Sequence, residues 1–138
     1  MMDYIRDGNE IYRRSFSIIR SEANLEKLPT DLATVVVRLI HTCGMTDIVN
    51  DLSASFDAVA AGRNALKNGK PILCDAQMVA EGITKKRLPA NNQIICTLNN
   101  PEVPTLAQKM LNTRSAVALE LWEPYLSGAV VAIGNAPT

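Results

Sequence analysis

His41 is the single histidine of this chain and the residue best suited to proton chemistry. It lies in the segment IHTCGM, two positions before Cys43 and three before Gly44. Histidine titrates near neutral pH without help from its surroundings, so the ring is a candidate general acid or base. A lone histidine beside apolar residues is more often a hydrogen-bonded core residue, and at this point the sequence leaves both interpretations open.

Three clusters that pair a cationic side chain with a hydroxyl group form the second set of candidates. They are Arg13, Arg14 and Ser15 in IYRRSF, Thr84 with Lys85, Lys86 and Arg87 in EGITKKRLP, and Arg114 with Thr113 and Ser115 in NTRS. Arginine holds carboxylates with two parallel hydrogen bonds, and hydroxyl groups complete such a site. The clusters favour a ligand with several carboxylates, and the alternative, above all for KKR, is a solvated helix face.

The chain has three cysteines, Cys43, Cys74 and Cys96, and no CxxC pair. This pattern disfavours a disulfide framework and a zinc site and predicts reduced, largely buried thiols. Cys43 lies two positions from His41, a spacing that points the two side chains in different directions. Asp75 beside Cys74 disfavours a thiolate, because a neighbouring carboxylate raises the pKa of a thiol. A cysteine nucleophile is the weaker hypothesis.

The composition is typical of one compact domain with a real core. The chain has 138 residues and a mass of 15.0 kDa, with 47% hydrophobic and 20% charged residues. Fourteen basic residues balance fourteen acidic ones, which gives no global attraction to nucleic acid or to an anionic membrane. P-loop, GxGxxG, HExxH and GxSxG motifs do not occur, so nucleotide chemistry has no support in the sequence.

The N-terminal segment MMDYIRDGNEIYRRSF carries charges throughout and lacks the apolar stretch of a secretory signal. No apolar run in the sequence approaches the length of a membrane span. These observations and the unpaired cysteines predict a cytoplasmic protein.

Apolar periodicity predicts six helical segments. They cover residues 3–22, 30–43, 58–68, 78–82, 105–111 and 115–125. The second is the best marked, because Thr30 is a candidate N-cap and Gly44 follows its last turn. His41 then lies in that last turn, where free carbonyls and the negative end of the helix dipole favour a positively charged ring.

Short apolar runs predict strands between these helices. They cover 46–52, 71–76, 92–98 and a last run that leads into Gly134 and Asn135. The alternation indicates an α/β fold with a parallel sheet covered on both faces. In such folds ligands bind beyond the carboxyl ends of the strands, so Asp75, residues 97–99, Gly134 and Asn135 are expected at one edge. The chain stops where a helix normally covers the last strand, which predicts a single domain over 1–138 with a truncated C-terminus.

Several long segments, in this order and at these separations, resemble one known family. They are DYIRDGNEIYRRSFSIIR, IHTCGM, GKPILCDAQMVAEGITKKRLP, ICTL, NTRSAVALELW and GAVVAIGNAPT. By these segments the chain is identified, over nearly its whole length, as a member of the precorrin-8X methylmutases of cobalamin biosynthesis. The resemblance implies a three-layer α/β/α, flavodoxin-like fold, a homodimer, and an isomerase that converts precorrin-8X to hydrogenobyrinic acid by moving a ring methyl group from C11 to C12. It implies no metal or organic cofactor.

By the same resemblance His41 is the catalytic acid, which protonates the tetrapyrrole so that a 1,5-sigmatropic methyl shift becomes easier. The expected substrate contacts are Arg14, Ser15, Thr84, Arg114, Ser115 and Asn135. Thr42 and Cys43 are expected to pack or orient the ring rather than to react.

Some alternatives stay open at this point. Members of the family continue beyond GNAPT with a glycine-rich stretch, so a non-catalytic tetrapyrrole carrier or an inactive fragment is the alternative function. The substrate is metal-free precorrin-8X or its cobalt-bearing counterpart. Without the resemblance, the residues indicate an α/β module that binds a small carboxylated ligand.

Overall fold

The computed structural model describes residues 4–135, which divide into two compact units, 4–59 and 60–135. Residues 1–3 and 136–138 lie outside the described residues. They include Asp3, where the sequence places the start of the first helix, and Pro137 and Thr138 at the end of the chain.

Six α-helices and three strands lie within residues 4–135. The helices are α1 (Gly8–Glu22), α2 (Thr30–Cys43), α3 (Ala58–Lys67), α4 (Gln77–Gly82), α5 (Val103–Met110) and α6 (Arg114–Glu120). The strands are β1 (Ile72–Cys74), β2 (Ile94–Ile95) and β3 (Val130–Ala132). Short 3₁₀ helices cover Thr46–Asp51, Lys85–Arg87 and Glu123–Tyr125. Within residues 4–135, no helix has both the length and the apolar character needed to cross a membrane.

The first unit is built around the packing of α1 against α2. Its core consists of Ile19, Ala23, Val36, Val37 and Ile40, all of which are buried. These positions recur at helical spacing, so each helix turns one apolar stripe towards the other.

Glycine ends α2 as the sequence predicts. Gly44 has a φ of +73°, a left-handed conformation that costs glycine little, and its N–H donates to Ile40 O at 2.7 Å. This confirms that His41 lies in the last turn of α2.

The predicted starts of α1 and α2 need correction. α1 begins at Gly8, because the Asp7 carboxylate accepts a hydrogen bond from Glu10 N at 2.9 Å and so caps the helix there. The predicted N-cap of α2, Thr30, is its first helical residue. Pro29 is the N-cap and has no side-chain capping bond, and proline supplies the fixed φ that suits a helix entrance.

The strand predicted over 46–52 is wrong, since Thr46–Asp51 forms a 3₁₀ helix. Ile48 and Val49 are half-buried and pack on the core of the first unit from consecutive positions. The described residues of this unit contain no strand with which the segment could pair, so its backbone forms local hydrogen bonds instead.

The second unit contains a three-stranded parallel sheet of order β2-β1-β3. The registers pair Ile72 with Ile94 and Cys74 with Ala132. All three residues of the central strand are buried, which fits its continuous apolar sequence ILC. The order matches the first three strands of the flavodoxin-like arrangement. The predicted α/β class with a parallel sheet is confirmed.

The ladder of β2 is shorter than the predicted 92–98. Asn92 is buried, and its side-chain amide donates to Leu66 O and Lys70 O, both at 2.8 Å. Beyond β2 the chain turns at Thr97, whose carbonyl accepts from Asn100 N. Side-chain and turn hydrogen bonds thus replace the ladder at both ends of β2.

Candidate active site

His41 and Ser15 form the best-defined polar pair of the first unit. Ser15 Oγ lies 2.7 Å from His41 Nδ1, although the two residues are 26 positions apart in sequence. Both side chains are half-buried. Ser15 lies in the middle of α1 and His41 in the last turn of α2, so the packing of the two helices brings the pair together. The geometry places Ser15 beside the histidine, and its contact with the substrate stays a prediction.

Two aromatic rings of α1 flank the imidazole. The Tyr12 and His41 ring centroids are 5.0 Å apart at an interplanar angle of 38°, and Phe16 meets His41 edge-to-face at 5.4 Å. The Arg38 guanidinium lies over the Phe16 ring, 5.4 Å from its centroid. Tyr12 and Phe16 are one helical turn apart, so both can face the same ring. The hydrogen bond from Ser15 and the contacts with the Tyr12 and Phe16 rings together fix the plane of the imidazole.

This arrangement assigns different tasks to the two nitrogens of His41. Nδ1 pairs with the Ser15 hydroxyl, which can accept from Nδ1–H or donate to an unprotonated Nδ1. No hydrogen bond to Nε2 is formed by residues 4–135, so Nε2 is the nitrogen that a ligand could meet. A histidine held at one nitrogen can give a proton from the other without turning, which is the geometry that general acid catalysis requires.

The two arginines of the YRRSF segment differ in their surroundings. Arg13 forms an ion pair with Glu10, one turn earlier in α1. The hydrogen bond from Arg13 holds the pKa of Glu10 below its usual range. Arg14 is exposed, so of the two it is the one that suits an external carboxylate. Its role in substrate binding stays a prediction.

In the second unit, the predicted edge at the carboxyl ends of the strands is formed by Asp75, Gly134 and Asn135. Asp75 Oδ1 accepts from Gly134 N at 3.0 Å, and Oδ2 accepts from Asn135 N at 2.9 Å. Thr97, at the end of β2, donates from Oγ1 to Ala118 O at 2.6 Å. The edge is therefore organised by side-chain hydrogen bonds, and Asn135 is held there through its backbone.

The remaining predicted contacts are exposed positions on separate elements of the second unit. Thr84 precedes the 3₁₀ helix Lys85–Arg87, while Arg114 and Ser115 are the first two residues of α6. Arg114 lines an open depression of about 460 Å³ together with Leu111. Leu111 is 94% exposed and has a φ of +51°, which is uncommon for a leucine. A cation and an exposed apolar side chain thus border one depression.

The cysteines give no sign of a nucleophile or metal site. Burial, followed by the neighbouring Cys96 and Asp75, raises the pKa of the Cys74 thiol. Cys43 is exposed, which corrects the prediction of largely buried thiols, because the last residue of α2 points away from the core. Residues 4–135 contain no group of three or more His, Cys, Asp or Glu side chains that could hold a metal ion.

The sequence did not reveal the partners of His41 and of Asp75. Tyr12 and Phe16 fall within the helix predicted over 3–22 but are not among the candidate residues, and Asp75 is placed at the sheet edge without a role of its own. The available signal was the spacing of Tyr12, Ser15 and Phe16, since positions i, i+3 and i+4 share one face of a helix.

Comparisons with known proteins agree with this architecture. The profile of the precorrin-8X methylmutase family matches residues 10–138. The precorrin-8X methylmutase of Pseudomonas aeruginosa is 62% identical over 138 residues, which are 100% of this chain and 66% of that protein. The precorrin-8X methylmutase of a Sinorhizobium species is 56% identical over 136 residues, covering 99% of this chain and 65% of that protein.

A solved structure shows the same fold. The precorrin-8X methylmutase of Thermus thermophilus is 34% identical and superimposes with a TM-score of 0.82, covering 94% of this chain and 64% of that one. The chain thus spans about two thirds of the length of these relatives. The matches in sequence and in structure show that the chain belongs to the precorrin-8X methylmutase family.

Proposed function

We propose that the chain acts as an isomerase of cobalamin biosynthesis that converts precorrin-8X to hydrogenobyrinic acid. The observation that carries the proposal is the imidazole of His41, held by Ser15 at Nδ1 and flanked by Tyr12 and Phe16. The reaction proposed for this ring is inferred from the family to which the chain belongs. The relatives from Pseudomonas aeruginosa and from a Sinorhizobium species are both named precorrin-8X methylmutase, which favours the metal-free substrate over its cobalt-bearing counterpart.

In the proposed reaction the protein binds the substrate and transfers a proton. The bond from C11 to the methyl group breaks as the bond to C12 forms, so the methyl group stays within one molecule. His41 Nε2 gives a proton to the macrocycle, which eases the shift, and Nε2 takes a proton back afterwards, so that product and substrate are isomers and the ring is restored. A positioned acid contributes about 10²–10⁴-fold to such a step.

The substrate-binding part of the proposal rests on charge and polarity. Arg14 and Arg114 are exposed cations that suit the acetate and propionate side chains of a tetrapyrrole. Leu111 beside Arg114 offers an apolar surface to the macrocycle itself. Hydrogen-bonding groups complete the proposed set, namely Thr84, Ser115 and Asn135.

The direct test is to mix the purified chain with precorrin-8X and to record absorption spectra over time. We expect the substrate spectrum to convert to that of hydrogenobyrinic acid. A stable, substrate-like complex without conversion would support a tetrapyrrole carrier instead, and an unchanged free-substrate spectrum would contradict both functions. The cobalt-bearing substrate in a parallel reaction decides between the two substrate forms.

Replacing Ser15 by alanine is expected to lower kcat for this conversion by about 10- to 100-fold while KM changes little. A hydrogen bond to a charged group is worth about 1.5–3 kcal/mol, and without it the imidazole can turn away from the substrate. Steady-state kinetics measure the two parameters. Ser17→Ala removes the same hydroxyl from an exposed position of α1 and serves as the control. A rise in KM with unchanged kcat would instead make Ser15 a substrate contact.

Replacing Arg14 or Arg114 by methionine is expected to weaken tetrapyrrole binding by about tenfold at low salt, with a smaller effect as salt screens the lost charge. Absorption titrations at several ionic strengths measure this affinity. Arg13→Met is the matched control, because Arg13 is already paired with Glu10. Equal affinities of variant and parent at every salt concentration would rule out the assignment.

The proposal also includes a homodimer, a cytoplasmic location and a single domain over 1–138, as the sequence predicts. Apolar side chains on the surface of α1 and α2 support association between copies. Ile11, Ile18, Val35 and Leu39 are each between 40% and 46% exposed. Sedimentation velocity of the chain measures its oligomeric state, and a monomer at every concentration would argue against the dimer.

A further inference from the structure

Asp75 and the segment after β3 form a contact that the proposed reaction has not used. Both carboxylate oxygens of Asp75 are engaged, one by the N–H of Gly134 and the other by the N–H of Asn135. The donors are consecutive backbone groups, 59 and 60 positions away in sequence. A single side chain therefore ties the chain that leaves β3 to the end of β1.

The contact lies where a parallel α/β sheet binds ligands. The chain passes from β1 to β2 on one side and returns to place β3 on the other side of β1. Ligands of such sheets bind at this reversal of strand order, beyond the carboxyl ends of the strands. Asp75 directly follows β1, and its own N–H continues the ladder to Ala132 O at 3.4 Å. Asp75 therefore closes the gap between β1 and β3 at the edge where a ligand is expected.

A second contact, made by a side chain of α4, restricts the position of Gly134. A Cβ atom added to Gly134 would lie 2.4 Å from Val79 Cγ2, a distance that real side chains do not adopt. Valine is stiff about χ1, so its methyl group cannot easily turn away. The backbone of Gly134 is thus held between the Asp75 carboxylate and the Val79 side chain, and neither contact alone would set its path.

We propose that Asp75 is a positioning residue for substrate binding. By accepting both N–H groups, its carboxylate holds Gly134 and Asn135 at the reversal point of the sheet, where Asn135 meets the macrocycle. Asp75 itself acts through the backbone and does not touch the reacting atoms. This inference rests on the proposed function and names a residue that sets where the substrate binds.

The ionisation of Asp75 fits this role. The N–H of Gly134, and after it that of Asn135, holds the pKa of Asp75 below its usual value of 3.8. Because the pKa is lowered in the folded state, the carboxylate stabilises the fold above the unfolded value of about 3.9 and loses this effect as pH falls through the folded pKa. The two hydrogen bonds are therefore intact over the range in which an enzyme works.

Asp75→Asn tests the inference, because asparagine keeps the shape but turns an NH₂ group towards one of the two backbone donors. We expect KM for precorrin-8X to rise about tenfold while kcat stays within about twofold, since substrate binding changes and the acid does not. Asp51→Asn makes the same chemical change at an exposed position of the first unit and should leave both parameters unchanged.

The amide signals of Gly134 and Asn135 give an independent measurement on the unsubstituted chain. In NMR spectra both should titrate together with a midpoint below 3.8, and their hydrogen exchange should quicken in Asp75→Asn. If the unsubstituted chain turns over and the variant keeps the parent KM, the inference is wrong and the proposed function stands. If the unsubstituted chain neither binds nor converts precorrin-8X, the proposed function fails and with it the role of Asp75 in binding. Amides that do not titrate would refute the contact itself.

Discussion

Replacing His41 by alanine is expected to lower kcat for the proposed conversion of precorrin-8X by about 10²–10⁴-fold, the usual contribution of a positioned general acid. The fold should survive, because the ring is half-buried at the end of α2 and is not part of the apolar core. Absorption spectra of the product measure turnover, and circular dichroism measures the fold. Normal turnover in the variant would overturn the mechanism.

Two further variants separate proton donation from packing. His41→Asn keeps a polar group that can reach Ser15 but cannot donate a proton at neutral pH, so it should be as inactive as the alanine variant. Thr34→Ala changes an exposed residue of the same helix, whose hydroxyl donates to Thr30 O at 3.0 Å, and should keep parent turnover. Added imidazole should partly restore His41→Ala by entering the space between Tyr12 and Phe16.

Replacing Leu73 by alanine is expected to lower the free energy of unfolding of the second unit by about 2–5 kcal/mol. Leu73 lies in the middle of the central strand and is 0% exposed, so the missing atoms leave a cavity against one face of the sheet. Urea unfolding followed by circular dichroism measures the change. It should appear as a lower midpoint with an unchanged dependence on urea concentration.

Leu111→Ala is the control for that measurement. It makes the same substitution at a side chain that is 94% exposed and should change stability by less than about 0.5 kcal/mol. Equal stability losses in the two variants would show that burial at Leu73 does not stabilise the sheet.

Local signals in the sequence predicted much of this fold. Gly44 marked the end of α2, and that end placed His41 in its last turn. The continuous apolar run ILC predicted the buried central strand. Both predictions succeeded because the information lies within a few residues of the feature. The segment 46–52 shows the limit, because Ile48 and Val49 suit a strand and yet have no strand to pair with among residues 4–59.

The candidate site depended on contacts that local patterns do not record. Ser15 and His41 are 26 positions apart, and Asp75 meets Gly134 across 59. Such pairs follow from how helices pack and in which order strands lie, so the sequence could nominate Ser15 and Asn135 without showing what each of them touches. Their chemistry was predictable from residue type, and their geometry required the fold.

The hydrogen bond between Ser15 and His41 also sets which changes in chain length the first unit tolerates. Ile19 anchors α1 in the core, and Ser15 lies one turn before it. One residue inserted between them would rotate Ser15 by about 100° around the helix axis and carry its hydroxyl away from the ring. A residue added in the connection between α1 and α2 does not rotate Ser15 about the α1 axis, but it shifts Ala23, Leu25 or Leu28, which pack in the same core. The spacing of residues inside α1 is what the hydrogen bond between Ser15 and His41 requires.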